Sequence, residues 1–491
     1  MRHSHLFFFL LLLVLAPTCL AHVGSPDVYY DAMAGPYHLF VTVRTPQMIP
    51  GIAFIEVRAL DGAVTAVDIV PLRLIGEGSE NAPPPDRMEQ SKSDPQFFTG
   101  KLWLMESGSW QVRLNVLGSQ GNAEMAVPVA AFARRTLAMQ RVTGIILTCL
   151  MVFLVLSLVS IFGAAARESQ LDAGASSPPQ KRRRARFVMA ATGAGLLTIL
   201  FLGNLWWNAE GNARATGMIY KAPPMQASLV GANQLQLKLG FSSWHDNRKG
   251  LQLVNLIPDH GHLMHLFLVR MPQMDRFYHL HPDQTLGGTF TEKLPTIDGG
   301  SYALFADIVR ESGFPDTMTA QLPLPDVSGT AGSFSNSDDA AALAPPLSNT
   351  APNTMASLGD SGKAELLLNG QTLLAQKPVI LRFRITDKNG NPATDLEAYM
   401  GMAGHLVILR RDLSVFAHVH PAGSVPMAAV ALLENPKSAS ADHMVGMHHG
   451  AVPSEITFPY GFPEPGDYRL FLQVKPSGQV KTAAFDVNVL P

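Results

Sequence analysis

The 491-residue sequence contains only two cysteines, Cys19 and Cys149, and both lie in apolar stretches. The folded domains therefore have no disulfide framework and no thiolate metal site, so any metal ion must be held by His, Met, Asp or Glu. Charged residues are also scarce, at 15% of the chain with a formal net charge of -2, so nucleic acid is not expected as a partner. Apolar residues make up 47%, which is high for a soluble protein and indicates membrane spans.

Sequence signatures of catalysis are missing as well. The chain has no phosphate-binding glycine loop, no nucleophile elbow and no His-Glu-x-x-His helix. We therefore expect no enzyme activity and no catalytic residues.

Two long apolar stretches divide the chain, at residues 142–163 and 187–207. Each is long enough to cross a bilayer as a helix, and the loop 164–186 between them ends in the basic run Lys181-Arg-Arg-Arg-Ala-Arg186. Basic loops between spans stay in the cytoplasm. The regions on either side are therefore expected outside the cell membrane.

The N-terminal residues 1–21 predict the same orientation. They have an apolar core and small residues at the cleavage position, as in a secretory signal; Cys19 is an alternative lipidation site. We expect the protein in the inner (cytoplasmic) membrane, in contact with the lipid bilayer, with its N- and C-terminal domains on the periplasmic side.

The rest of the sequence has the pattern of short β-strands. Segments rich in β-branched and aromatic residues alternate with turns, which is typical of antiparallel sandwiches. A Gly-x-aromatic turn into a late strand recurs at Gly108, Gly300 and Gly466, as at the corner of immunoglobulin-like sandwiches. The predicted fold class is all-β, with three immunoglobulin-like sandwiches plus two transmembrane α-helices. The sandwiches are predicted at residues 22–135, 216–327 and 362–491, with a flexible linker at 328–361.

A histidine motif occurs twice, in the second and third predicted sandwiches. Each copy starts an apolar strand with histidine and ends the next segment with His-x-His-Pro. Side chains alternate along a strand, so the two histidines of His-x-His point the same way, and a hairpin brings the leading histidine close to them. We predict one three-histidine metal site in each sandwich. The predicted ligands are His265, His279 and His281 in the first copy and His405, His418 and His420 in the second.

More histidines and methionines surround the motif. Possible additional ligands are His22 at the processed N-terminus, His260, His262, Met400 and Met402, and His443, Met444, Met447, His448 and His449 of a capture loop. Asp259, Asp307 and Asp412 are possible hydrogen-bond partners of the ligands. Imidazole and thioether donors favour a copper ion, although three histidines with an open fourth position also suit zinc. The alternative is that no metal binds and the histidines are structural.

The residues from Gly404-His-Leu to His418-Val-His420-Pro421, followed by Pro465-Gly-Asp-Tyr468-Arg-Leu-Phe, resemble immunoglobulin-like modules of bacterial envelope proteins, the YtkA-like group. The resemblance covers the second and third sandwiches and implies copper or heavy-metal handling. His22 before a sandwich is also similar to periplasmic copper-resistance carriers, whose remaining ligands are not evident here.

The predicted function is membrane-anchored, extracytoplasmic copper binding, for buffering or for delivery to envelope metal-transport proteins. Metal affinity is then expected to fall as the pH drops through about 6.5, where unperturbed histidine protonates. The alternative is an envelope interaction scaffold of immunoglobulin-like modules with structural histidines.

Overall fold

The computed structural model describes most of the chain after residue 26. The described residues are 27–61, 63–76, 78–79, 81–137, 139–172, 174–240, 242–246, 255–285, 288–328, 334, 336–347, 352–434 and 451–491. The predicted signal sequence with Cys19, His22 and the predicted capture loop lie outside them. The chain forms two compact units, one comprising the residues up to Phe132 with Lys221–Pro491 and the other Ala133–Tyr220.

The smaller unit is a pair of long helices, α1 (Arg141–Glu168) and α2 (Pro179–Met218). Both are long and apolar enough to cross a membrane, by length and composition. Helix α2 begins before the predicted second span, because Pro179 at its start favours a helical backbone. The basic run 181–186 therefore lies in the first turns of α2 rather than in the predicted loop.

The first sandwich consists of two antiparallel sheets, with strand orders β1-β2-β3-β7-β6 and β5-β4-β8-β9. Burial alternates along the strands, as the period-2 pattern of the sequence predicts. The strands are β1 (Val28–Ala34), β2 (Tyr37–Arg44), β3 (Gly51–Asp61), β4 (Val64–Arg73), β5 (Asp86–Arg87), β6 (Glu89–Gln90), β7 (Phe97–Leu104), β8 (Gly108–Gly118) and β9 (Gly121–Ala131).

The second sandwich has a smaller sheet, β10-β11-β16-β15, and a larger one, β12-β17-β13-β14-β19, in which β18 also pairs with β17. Its elements are β10 (Met225–Val230), β11 (Gln234–Leu239), α3 (Ser243–Asp246), β12 (Leu256–Ile257), β13 (His265–Met271), β14 (Arg276–Leu280), β15 (Asp283–Gln284), β16 (Thr289–Lys293), β17 (Gly300–Arg310), β18 (Pro315–Leu324) and β19 (Ala340–Leu343).

The third sandwich repeats this plan with sheets β20-β21-β22-β26 and β23-β27-β24-β25, and β28 pairs with β27. Its elements are β20 (Met355–Ser357), a 3-10 turn (Gly359–Ser361), β21 (Lys363–Leu366), β22 (Pro378–Thr386), β23 (Leu396–Glu397), β24 (His405–Arg410), β25 (Phe416–Val419), α4 (Met427–Glu434), β26 (Glu455–Gly461), β27 (Gly466–Pro476) and β28 (Lys481–Val489). The predicted all-β class with three sandwiches and two apolar helices is confirmed.

The Gly-x-aromatic turns form the same contact in all three sandwiches. Trp110 Nε1 donates to the carbonyl of Glu106, Tyr302 Oη to that of Asp298 and Tyr468 Oη to that of Glu464. Each aromatic side chain is buried and ties the start of its strand to the preceding loop.

The second and third sandwiches pack against each other through their histidine-bearing sheets. Phe305 stacks on Phe416 with ring centroids 4.5 Å apart, and Phe277 stacks on Phe471 at 4.2 Å. Phe277 and Phe416 hold equivalent positions in the two copies, as do Phe305 and Phe471. The two contacts are therefore exchanged by an approximate two-fold relation, as in an isologous interface.

This packing buries both faces of strands β13 and β24. Leu266 and Leu406 point into the core of their own sandwich, whereas Phe267 and Val407 point into the cluster between the sandwiches. Strands buried on both faces are apolar at consecutive positions instead of alternating. His265 and His405, which begin these strands, lie on the face that meets the other sandwich.

The first sandwich packs on the loop that follows His420. Asp31 N–H donates to the carbonyl of Ala422, and Ser424 N–H donates to the carbonyl of Tyr29. Gly423 lies between these contacts at φ +125°, and a Cβ there would be 1.9 Å from the carbonyl oxygen of Tyr29. Only glycine permits this backbone approach.

The predicted linker, residues 328–361, contributes to both neighbouring sandwiches. Its strand β19 extends the larger sheet of the second sandwich by pairing with β14, and β20 pairs with β21 of the third. Strand β19 places Ala340 opposite His279. Part of the stretch thus belongs to the folded domains, because its small apolar residues complete the edge of a sheet.

Candidate metal centre

The hairpin register places the predicted ligands of each copy on one face. In the second sandwich Phe267 pairs with His279, and His265 pairs with Asp307 of the central strand β17. In the third, Val407 pairs with His418 and His405 with Gln473. The duplicated sequence thus gives a duplicated backbone.

The structure brings His265, His279 and His281 together. One ring nitrogen from each lies within 4.8 Å of the others, and the three residues are at most 4% exposed. We call these residues the His265 group. It matches the ligand set predicted for the first copy.

The second group differs from the prediction. His405 and His420 join His260, which comes from the second sandwich, and one ring nitrogen of each lies within 4.8 Å of the others. We call this set the His260 group. His418 is not part of it. Histidines from two sandwiches meet because the loop carrying His260 lies across the interface, where its Nδ1 donates to the carbonyl of Met400 at 2.8 Å.

His418 lies between the two groups. Its ring centroid is 5.3 Å from those of His265 and His405, and its Nδ1 is 3.6 Å from Asp307 Oδ2. The equivalent residue of the first copy, His279, donates from Nδ1 to Gln473 Oε1 at 2.8 Å. Both histidines therefore contact the central strand of the opposite sandwich, in agreement with the approximate two-fold relation.

Most of the grouped histidines donate one ring N–H to an oxygen outside the group. His260, His265 and His420 donate to the backbone carbonyls of Met400, Asp259 and Val425, at 2.8, 3.0 and 3.3 Å. His281 Nδ1 donates to Asp339 Oδ1 at 2.9 Å. These contacts fix the tautomer and aim the other nitrogen inward, as outer partners do around metal ligands.

Two inward ring nitrogens lie close together in each group. His265 Nδ1 is 3.1 Å from His279 Nε2, and His260 Nε2 is 3.1 Å from His420 Nε2. Where each neutral ring donates its proton on the far side, two lone pairs point at one another. Ligands on a tetrahedral ion with bonds of 2.0–2.1 Å would be about 3.3 Å apart. The spacing fits a shared cation.

Burial keeps these rings neutral. Desolvation, aided by the neighbouring imidazoles, lowers the pKa of His265, His279, His281, His405 and His420 well below its ordinary value of 6.5, and the pKa of His260 is also lowered. Burial raises the pKa of Asp339, the acceptor of His281, to about 6. The neutral imidazole is the form that binds a metal ion.

Several buried nitrogens have no hydrogen-bond partner among the described residues. They are Nε2 of His281, both ring nitrogens of His405 and Nε2 of His418. Leaving a buried polar atom unpaired costs about 1–3 kcal/mol, so a cluster of such atoms calls for a ligand. A bound ion would supply the missing partner at these atoms.

The other predicted ligands have separate positions. His262 is half-buried and its ring stacks on that of His281, with centroids 4.0 Å apart. Met400 and Met402 are buried in the equivalent loop of the third sandwich, and the carbonyl of Met400 accepts from His260. Of the predicted outer partners, Asp259 and Asp307 contact histidines, whereas Asp412 bonds to Arg410 and Ser414.

Sequence reasoning missed the outer partners Asp339 and Gln473. Asp339 lies in the predicted linker and Gln473 on a strand that carries no histidine, so neither is near the motif in sequence. A signal for Gln473 was available, because it is a polar residue in the apolar strand Leu470-Phe-Leu-Gln-Val474.

Comparisons with known proteins give limited likenesses. Residues 359–490, which contain the third sandwich, match the model of a family described as a domain of unknown function, DUF8832. No curated protein matches the chain.

Three solved structures illustrate the structural likenesses. One is an engineered protein at 13% identity and a TM-score of 0.16, covering 20% of this chain and 21% of that chain, about a fifth of its length. Another is CopC from Methylosinus trichosporium OB3b, at 18% identity and a TM-score of 0.15, covering 22% of this chain and 90% of CopC. The third is described as a putative membrane anchored protein from Corynebacterium diphtheriae, at 8% identity and a TM-score of 0.15, covering 95% of this chain and 96% of that chain. TM-scores this low add nothing to the fold described above.

Proposed function

We propose that this protein is a membrane-anchored, extracytoplasmic metal-binding protein that handles copper, by buffering it or passing it on. The observation that carries the proposal is the 3.1 Å separation of two ring nitrogens in each histidine group, whose rings are bonded to oxygen acceptors through their other nitrogen. A cation between them would bond to both nitrogens. The outward N–H groups of the same rings are already held by oxygen acceptors, so the ligands are oriented before the ion arrives.

The donor set narrows the choice of ion. Neutral imidazole suits copper and zinc, and at a given nitrogen site Cu²⁺ binds more tightly than Zn²⁺. No carboxylate is among the six grouped residues, so hard ions such as Ca²⁺ and Mg²⁺ do not fit. Copper is therefore the preferred ion and zinc the alternative.

The helices support the location. Their length and composition suit a bilayer, and the basic run at the start of α2 favours a cytoplasmic position for that end. We therefore place the protein in the inner membrane with its sandwiches outside, and we expect envelope metal-transport proteins as partners. Burial of all six grouped histidines favours holding an ion over turning over a substrate, so we propose binding without catalysis.

Metal content of the purified full-length protein in detergent tests the proposal. After equilibration with Cu²⁺ or Zn²⁺ and removal of free ions, elemental analysis should give two ions per chain. The double variant His279→Ala/His281→Ala should lose one of them. His38→Ala, which changes a histidine of the first sandwich, is the control and should keep both.

The alternative function makes the opposite prediction. If the protein is an interaction scaffold with structural histidines, it retains no metal, and the double variant unfolds at a lower temperature than wild type in metal-free buffer. That pair of results would overturn the metal-binding proposal.

A further inference from the structure

His262 is the most accessible histidine in contact with the His265 group. Its side chain is 17% exposed, whereas the three residues of the group are 0–4% exposed. Its ring stacks on that of His281 at 4.0 Å, with 29° between the ring planes. A buried ion cannot reach the His265 group with its water shell intact, so its last waters must be replaced by protein ligands on the way in.

A carboxylate lies beside His262. Nε2 of His262 is 3.4 Å from Oδ2 of Asp338, whose side chain is 23% exposed. Two ligands of one tetrahedral ion are separated by about this distance when the bonds are 2.0–2.1 Å long. Histidine and carboxylate together can therefore hold an ion that still keeps some of its water.

A cation next to this pair keeps such a site weak. Lys475 Nζ lies 3.7 Å from the other carboxylate oxygen of Asp338, Oδ1. Its charge opposes that of an incoming metal ion and competes for the carboxylate. The ring of His281 stacks on that of His262, and its Nε2 is buried and has no partner among the described residues, so it can take over an ion held by the outer pair.

Of the two copies of this loop, only the one in the second sandwich carries a histidine at the position of His262. His262 follows His260-Gly261 in the second sandwich, and the equivalent residue after Met400-Gly401 in the third is Met402, which is 5% exposed. The two loops have the same backbone, with bridges Asp259 to His262 and Tyr399 to Met402. The partly exposed histidine is thus a specific property of the second sandwich rather than a requirement of the loop.

We propose that His262 and Asp338 form a transient outer metal site through which ions enter and leave the buried His265 group. The inference rests on the proposed metal-binding function and adds the path by which ions enter and leave the His265 group. Because a route changes rates in both directions and leaves the end states alone, it predicts altered exchange kinetics at constant affinity.

Stopped-flow exchange on the full-length protein tests the route. Zn²⁺ uptake from a chromophoric chelator and Zn²⁺ release to it give the two rate constants, and the same experiment is run with Cu²⁺. His262→Asn and Asp338→Asn should each slow uptake and release together by about tenfold or more, the scale typical of losing a partner at a metal site. The dissociation constant should stay within about twofold of wild type. Lys475→Gln should speed uptake.

His38→Asn is the matched control, because His38 is also half-buried beside a carboxylate, Asp31, but in the first sandwich. It should leave both rate constants unchanged, and circular dichroism should confirm that every variant is folded.

The outcomes separate this inference from the proposed function. Wild type that binds no ion overturns both. Wild type that binds ions, with variants exchanging at the wild-type rate, overturns the route alone. Faster release with weaker affinity in His262→Asn would make His262 a resident ligand, which also overturns it.

Discussion

The Nε2 atoms of His260 and His420 face each other across 3.1 Å, although the residues are 160 positions apart and belong to different sandwiches. An ion held between them would join the second and third sandwiches. The two copies of the histidine motif therefore do not form two independent sites, one in each module. One group lies within the second sandwich, and the other is shared across the interface.

Replacing His260 should remove an ion that the sequence assigns to the other sandwich. We expect His260→Asn to reduce the metal content from two ions to one, because it removes one of three ligands of the His260 group. His418→Asn should be milder, since His418 lies between the groups and belongs to neither. Elemental analysis of the two variants distinguishes the structure from the sequence prediction, which assigned His418 to this site and gave His260 only as a possible additional ligand. Retention of both ions by His260→Asn would contradict the shared site.

The metal-free protein should lose stability in mild acid. The pKa values of the grouped histidines are lowered in the folded state, so below about 6.5 the unfolded chain binds protons that the folded chain does not. This contribution to the free energy of unfolding is fully present above about pH 6.5. It falls with decreasing pH until the lowered pKa values of the folded state are reached. Each such histidine contributes up to about 1.4 kcal/mol per pH unit.

Thermal unfolding in chelator between pH 7.5 and 5 measures this effect. Metal affinity should also persist below pH 6.5, in contrast to the expectation for unperturbed histidines, because protons compete only below the lowered pKa. A melting temperature that does not change between pH 7 and 5.5 would contradict neutral burial of the cluster.

Gly423→Ala should disturb the His260 group, because Gly423 lies where the first sandwich packs on the loop after His420. The added Cβ would meet the carbonyl oxygen of Tyr29 at 1.9 Å, so the loop after His420 must move. We expect the free energy of unfolding to fall by about 1–3 kcal/mol, as for strained backbone positions, and metal binding to weaken more at the His260 group than at the His265 group. Gly370→Ala is the control, because Gly370 also has positive φ but has open space around it. Equal effects of the two substitutions would indicate backbone strain alone.

Gln473→Leu should weaken metal binding without removing a ligand. Gln473 accepts the Nδ1 proton of His279 and so fixes its tautomer. Loss of such a partner typically lowers metal affinity by about 10–100-fold. Competition with a chelator of known affinity measures the change, and Gln111→Leu, at a buried glutamine of the first sandwich, is the matched control. Unchanged affinity would show that His279 does not depend on this bond.

Local patterns were sufficient to predict the strands, the corners and the His265 group, because alternation along a hairpin decides which side chains share a face. The packing of the second sandwich on the third is a tertiary contact without such a local pattern. The available sign was the run His265-Leu-Phe-Leu-Val269, whose consecutive apolar residues indicate burial on both faces. Interpreted as a strand buried on both faces, this run would have predicted that the two histidine motifs face each other and that His260 lies toward the third sandwich.

The approximate two-fold interface joins two halves whose sequences are free to differ. Two identical subunits meeting in this way would carry the same residue at both related positions. Fusion into one chain removes that constraint. Where one half has His260 and His262 the other has Met400 and Met402, so the two halves of an approximately symmetric scaffold carry unequal sets of donor side chains.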